Sequence, residues 1–187
     1  MACNLTKGRN ITCRDTVGGV KCVYLAQHDN LTSYVAASGS LTDFDLGGSD
    51  NIYKYLLKRG TASIVETINA SSENGTIFYQ QALNIKLHKL TAADQNEIKL
   101  LGSQRLVIFV ELNELNAAGK NVILACGLDN GMELASGTNN SGAALGDMNG
   151  YDWNFEALEP SPMQTVADYT TTPLDNSAFT FNSIVTS

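Results

Sequence analysis

Alternation of apolar and polar side chains with a period of two dominates this chain, which is the signature of half-buried strands. The longest run lies at 77–88. Its odd positions are Ile77, Tyr79, Gln81, Leu83, Ile85 and Leu87, and its even positions are Phe78, Gln80, Ala82, Asn84, Lys86 and His88. A dozen residues exceeds the usual strand of about 5–6, so the run predicts a protruding hairpin or a strand of a large barrel. Asn74-Gly75 ahead of it supplies the turn, because both residues tolerate positive φ. In 151–159, Tyr151, Trp153, Phe155 and Ala157 point one way and Asp152, Asn154 and Glu156 the other, until Pro160 and Pro162 stop the strand. Further strands are predicted at 20–27, 52–57, 62–68, 106–112 and 122–126. One helix is predicted over 92–101, with Thr91 as N-cap, acidic Asp94 in the first turn, an Ile98/Leu101 stripe and Gly102 at its end.

Between these elements the composition changes. Residues 127–150 are rich in Gly and Asn and read as a long loop. Residues 1–19 have few apolar anchors and read as an N-terminal arm. Residues 163–187 are polar with a short apolar end at 179–185 and read as a C-terminal docking arm or a last edge strand. The expected fold is therefore a single domain over 1–187, all-β with one flanking α-helix. It is a β-sandwich or barrel with an extended hairpin and terminal arms.

Charge sharpens this picture. The chain has 187 residues, with 12 Lys+Arg against 19 Asp+Glu and a net charge of −7. That balance argues against non-specific duplex binding through a basic surface. The last basic residue is Lys120, and the eight acids after it have no basic neighbour in sequence. Tyr151, Trp153, Phe155, Phe179 and Phe181 lie in the same third, so it is packing material rather than a simple acidic tail. No 18-residue apolar run predicts a membrane span, and no apolar stretch of signal-peptide type follows the N-terminal basic residues. Six N-x-[ST] triplets, beginning at Asn4, Asn10, Asn30, Asn69, Asn74 and Asn139, are read as by-products of an Asn/Ser/Thr-rich composition.

Candidate chemistry is sparse. Cys3, Cys13, Cys22 and Cys126 form no C-x-x-C pair, and His28 and His88 are the only histidines, so neither a zinc site nor any other metal site is expected. The cysteines are read as free thiols of a reducing compartment. His28 and His88 lie in polar surroundings without a nucleophile elbow. The Gly-rich stretch is followed by no Lys-Ser/Thr, so it is not a phosphate-binding loop. Asp43, Asp45 and Asp50 lack the bidentate twelfth-position Glu of a calcium loop and read as turn formers. Glu111 and Glu114 read as solvated charges at a strand end. No catalytic residue and no cofactor is expected, and the chain is not read as an enzyme.

Two sets of residues carry a resemblance to a known family. The run Gly127-Leu128-Asp129-Asn130-Gly131-Met132-Glu133-Leu134, then Ser136-Gly137-Thr138, Gly142, Gly146-Asp147-Met148-Asn149-Gly150-Tyr151 and Glu159-Pro160, resembles tail tube proteins of tailed bacteriophages. Leu5-Thr6-Lys7-Gly8-Arg9, Cys13-Arg14-Asp15 and Val17-Gly18-Gly19-Val20 resemble the opening of related phage virion proteins. Together these segments cover about a third of the chain.

The resemblance implies a structural virion protein whose copies, six to a ring, stack into a hollow tube. Strands of neighbouring copies would join into one inner barrel, with loops and arms linking the rings. DNA would pass through the lumen without specific binding. The implied partners are further copies of the chain, the tape-measure protein and other tail proteins, with no membrane. The implied place is the virion tail, assembled in the host bacterial cytoplasm. On this reading Asp152, Asn154 and Glu156 face the lumen, although Lys86 and His88 share the polar face of the long strand. Arg9, Arg14, Asn130, Met132, Asn139, Asn140, Phe179 and Phe181 are the interface candidates. Rival readings are another virion ring or decoration protein (tail terminator, head completion or capsid decoration), a carbohydrate-binding sandwich using Tyr151 and Trp153, and an enzyme with scattered carboxylates.

Overall fold

The structure, a computed structural model, describes residues 7–10, 16–167, 169–176 and 178–186. Its elements are β1 (Val20–Gln27), a 3-10 turn (His28–Asn30), β2 (Leu31–Ala37), β3 (Ser40–Leu46), β4 (Ile52–Leu56), β5 (Ala62–Ser71), β6 (Thr76–His88), α1 (Ala92–Leu101), β7 (Leu106–Leu115), β8 (Asn121–Cys126), β9 (Glu133–Asn140), β10 (Gly150–Glu159), β11 (Gln164–Val166), β12 (Phe179–Thr180) and β13 (Ile184–Val185). The fold is all-β with one flanking helix. A nine-stranded sheet runs β12-β3-β11-β8-β7-β1-β4-β13, with β2 added on β3, and a four-stranded sheet runs β5-β6-β10-β9.

The chemistry of β1 and β7 places them at the centre. Six successive residues of β7, Leu106–Glu111, are buried, and β1 is buried at all but Lys21 and the partly exposed Gln27. Strands with both faces covered read as continuous apolar runs rather than alternations. One face packs against the smaller sheet: Val23, Leu25, Ile108 and Val110 meet Leu83, Ile85, Trp153 and Phe155. The other face builds a second core, in which Tyr24, Val107 and Phe109 meet Phe44, Leu174, Tyr169 and Phe179. Phe44 and Phe109 stack edge to face at 4.9 Å. Each such side chain contributes about 1.5–3 kcal/mol of burial.

Of the two readings of 163–187, the described residues follow the strand rather than the free arm. Here β11 sits between β3 and β8, β12 pairs in parallel with β3, and β13 pairs in parallel with β4. Leu174 is fully buried at φ +66, a left-handed backbone that costs a β-carbon residue about 1–2 kcal/mol. Burial of its side chain offsets that cost. The segment is the outer wall of the larger sheet.

Two further expectations change. Residues 127–150 are not a single loop, because β9 runs through them and pairs with β10. Its polar, glycine-bearing sequence hid the strand, since all its residues but Leu134 are exposed and one edge is unpaired among the described residues. Likewise β2 and β3 occupy a region read as turns around Asp43 and Asp45. Leu41, Phe44 and Leu46 of β3 are buried, but Thr42 bulges out of β3 opposite Val35 and Ala36, and this with the polar intervening residues blurs the period of two.

The helix forms as expected. Thr91 Oγ1 accepts the Asp94 N–H at 3.1 Å, Leu101 is buried, and the Gly102 N–H bonds back to Ile98 O. In β6 the odd positions Gln81, Leu83 and Ile85 are buried, but Ile77 is 56% exposed. The hairpin of β5 and β6 therefore runs past the end of the core, because β10 pairs with β6 only as far as Glu159–Tyr79.

Candidate assembly surface

The outer face of the four-stranded sheet is set by register. Asp152 pairs with Lys86 and Thr138, Asn154 with Asn84 and Ser136, and Glu156 with Ala82 and Glu133. Residues directly opposite share a face, so Asp152, Asn154, Glu156, Glu133, Lys86 and His88 all point away from the core. Lys86 Nζ lies 3.2 Å from Asp152 Oδ2, and Asn84 Nδ2 donates to Asp152 Oδ1 at 2.7 Å. Asn154 Nδ2 donates to Glu156 Oε1 at 2.8 Å. Lys86 is thus neutralised locally, and Glu133 and Glu156 stand opposite each other with no ion-pair partner among the described residues. The face keeps a negative excess although Lys86 lies on it. Val65, Phe78 and Leu158 on the same face are exposed.

Both ends of this sheet are open. Strands β5 and β9 each pair on one side only among the described residues. Edge strands are ordinarily blunted by lysine, proline or brevity. Here β5 has ten residues and β9 eight, and neither contains Lys, Arg or Pro. All pairings within the sheet are antiparallel, so β5 and β9 run in opposite directions. The β9 edge of one copy can therefore receive the β5 edge of another in antiparallel fashion, with the two copies related by rotation.

Of the interface candidates, Asn139 and Asn140 lie on the exposed β9 edge. Arg9 is exposed, and Arg14 lies outside the described residues. Asn130 is tied to its own chain: its backbone N–H donates to Glu159 Oε1 at 3.0 Å and its Nδ2 to Leu158 O at 2.6 Å. Met132 is 0% exposed, inside the core between the sheets, where it exchanges backbone bonds with Leu106. It is not a surface residue. Phe179 and Phe181 pack onto the second core, so in this structure they anchor their own chain. Tyr151 and Trp153 are buried and form no exposed aromatic platform.

The Gly127–Met132 turn owes its shape to Glu159. That carboxylate is buried and accepts the Asp129 and Asn130 N–H groups at 2.9 and 3.0 Å. Burial pushes the carboxyl above its ordinary value, against the pull of these two amides. At Gly127 φ is +69, and a β-carbon would come within 2.7 Å of Met132 N, so the first residue of the Gly-Leu-Asp-Asn-Gly run is required for packing.

Sequence reasoning missed Glu111, which is 0% exposed rather than solvated. A strand-end carboxylate carries no local sign that Lys21, Cys22 and Tyr24 of a distant strand converge on it. Among the described residues, no group of three His, Cys, Asp or Glu side chains is placed to hold a metal ion. No helix among them is long and apolar enough to cross a membrane. Comparison with protein-family models, with curated proteins and with solved structures returns no match to this chain.

Proposed function

We propose that this chain is a self-assembling structural subunit of the phage tail-tube type, without catalytic activity. The observation that carries the reading is the four-stranded sheet with two long, unprotected and mutually antiparallel edges. Repeating the sequence β5-β6-β10-β9 around a rotation axis leaves no edge unsatisfied, which is how a barrel removes the hazard of open strands. Six copies would contribute about 24 strands, giving a barrel roughly 45–50 Å across at its backbone for usual strand spacing and tilt.

In that barrel the face away from the core lines the bore. Asp152 and Glu156 would be present in every copy, with Glu133 beside them. A lumen of this sign repels the phosphate backbone, so DNA passes without adhering. The β5–β6 hairpin, projecting past the core with Ile68 and Ile77 exposed, would reach the next ring. The tape-measure protein would occupy the bore before DNA does, and the place of work would be the virion tail.

The test is electron microscopy of the protein concentrated to millimolar levels. Stacked cylinders support the reading. Isolated rings that never stack would assign the chain instead to a terminator, completion or decoration ring. A monomer at every concentration, with both edges accessible to amide exchange, would refute self-assembly.

A further inference from the structure

Lys21, Glu111 and Asn121 stand side by side on three adjacent strands, β1, β7 and β8. A β-bulge makes this possible. The register between β1 and β7 shifts between Val20 and Cys22, so Val20 and Val23 enter the core between the sheets while Lys21 joins Cys22 on the opposite face. Bulges re-aim side chains in this way. Lys21 Nζ then donates to Glu111 Oε1 at 2.7 Å and to Asn121 Oδ1 at 2.9 Å. Glu111 Oε2 accepts from Tyr24 OH at 2.7 Å and from Cys22 Sγ at 2.9 Å.

Asn121 is held from its other side. Its Nδ2 donates to Leu112 O at 2.8 Å and its backbone N–H to Tyr169 OH at 3.1 Å. The amide oxygen therefore faces the lysine and the amide nitrogen faces away from it. Tyr169 flanks Asn121, the Lys21 side chain stays about half exposed, and a cavity of about 380 Å³ lined by Asn121, Ile123 and Tyr169 opens beside the group.

We infer that Lys21 and Asn121 condense into an intramolecular isopeptide bond, with Glu111 relaying the proton. An amine nucleophile, an amide carbonyl and a proton-transfer group within hydrogen-bond reach are the parts that acyl transfer needs. One proton passes from the Lys21 ammonium to the Glu111 carboxylate across their hydrogen bond. The neutral Nζ attacks Asn121 Cγ and forms the new C–N bond. As the C–N bond forms Nζ gives up its second proton as well; both protons pass to the departing Nδ2, the first by way of Glu111, the Cγ–Nδ2 bond breaks, and an ammonium ion leaves by the adjoining cavity. The products are a secondary amide and an ammonium ion, which carries off the positive charge of Lys21; Glu111 is unchanged, and no oxidant or co-reactant is consumed.

The resting pair is charged. The hydrogen bond to Glu111 raises the Lys21 ammonium above its ordinary value. Burial of the Glu111 carboxyl opposes ionisation, but the Cys22, Lys21 and Tyr24 donors overcome it and leave the group below the usual value. Proton transfer to Glu111 is therefore uphill, and the condensation is slow. The bond would staple β1 to β8 across β7, closing a ring of about a hundred residues at the centre of the larger sheet.

The test is the intact mass of the purified full chain, fresh and after days at 37 °C. Condensation removes ammonia, a loss of about 17 Da. Digestion must then yield a branched peptide joining the β1 and β8 segments, and trypsin must fail to cut after Lys21. The branched peptide separates this product from a succinimide at Asn74-Gly75, Asn130-Gly131 or Asn149-Gly150, which has the same mass loss but joins no distant segments. Lys21→Arg, Asn121→Ser and Glu111→Gln must each abolish the branched peptide. The first two leave the buried core untouched, so they remain informative where the third fails to fold. An unchanged mass after incubation overturns the inference, as does a mass loss in the parent chain that yields no branched peptide.

Discussion

Pairing of β9 with β5 from a neighbour can be tested by changing charges that the monomer does not feel. Ser136 and Thr138 on β9, and Val65 and Thr67 on β5, are exposed and share the outer face of the four-stranded sheet. One variant carries Lys at all four positions. Its companion carries Lys at 136 and 138 and Glu at 65 and 67. In a single chain β5 and β9 lie at opposite ends of the sheet, and exposed substitutions of this kind change stability by only about 0.5 kcal/mol each. Across a β9–β5 interface, two like-charged facing pairs become two opposite-charged ones. At about 0.2–1 kcal/mol for each attraction or repulsion, the variants differ by roughly 1–4 kcal/mol per interface. That is a 5- to 700-fold difference in the pairing constant, multiplied at every interface of a ring. Sedimentation velocity and negative-stain imaging at 50 mM salt measure it. The all-lysine variant stays monomeric and the mixed variant assembles at least as readily as the parent. At 1 M salt, where the screening length is about 3 Å, the gap narrows. Equal assembly of both variants at low salt would refute edge pairing through β5 and β9.

The remaining predictions concern the C-terminal segment, the acid response and the outward acidic face. Leu174→Ala should destabilise the chain by about 2–5 kcal/mol, read as a lowered urea midpoint, because a fully buried side chain is removed from the second core. An unchanged midpoint would mean that the C-terminal segment does not cover that core. Asp175 accepts the Thr170, Thr171 and Thr172 N–H groups at 2.6, 2.8 and 2.9 Å, which holds its carboxyl at about 2. Since the folded value lies below the ordinary one, its stabilisation is complete above about pH 4 and lost as pH falls toward 2. Amide exchange at Thr171 and Thr172, corrected for its intrinsic pH dependence, should accelerate over that window, whereas Asp175→Asn should show low, pH-independent protection. Asp152→Asn with Glu156→Gln breaks one half-exposed ion pair, which contributes about 0–1 kcal/mol. Thermal stability should barely move, while assembled particles should retain duplex DNA more strongly in a filter assay. A large drop in stability would mean that this face is structural rather than electrostatic in purpose.

The residues legible in advance were those whose environment is set by their own strand. Tyr151–Glu159 shows its two faces in the sequence because one side meets a core and the other meets solvent, and α1 declares itself through Thr91, Asp94 and Gly102. Asp152, Asn154 and Glu156 could be grouped for the same reason, and the structure brings them onto one outward face. Met132 could not be placed, because its partner Leu106 is distant in sequence and only their backbone bridge draws it inside. The same holds for β2 and β3, whose polar residues were read as turns until Phe44 and Leu41 found the second core.

By itself, then, the sequence determined α1 and the strands with one clearly apolar face, the all-β class with its single helix, and the excess of carboxylates after Lys120, since these depend on residue type and short-range spacing. Tertiary structure alone decided that the described residues of 163–186 pack on the larger sheet, that β5 and β9 are the open edges of the smaller sheet among the described residues, and that Lys21, Glu111 and Asn121 meet. Those facts depend on which strands become neighbours, and the choice is made by burying apolar faces from all parts of the chain together, so no local window contains it.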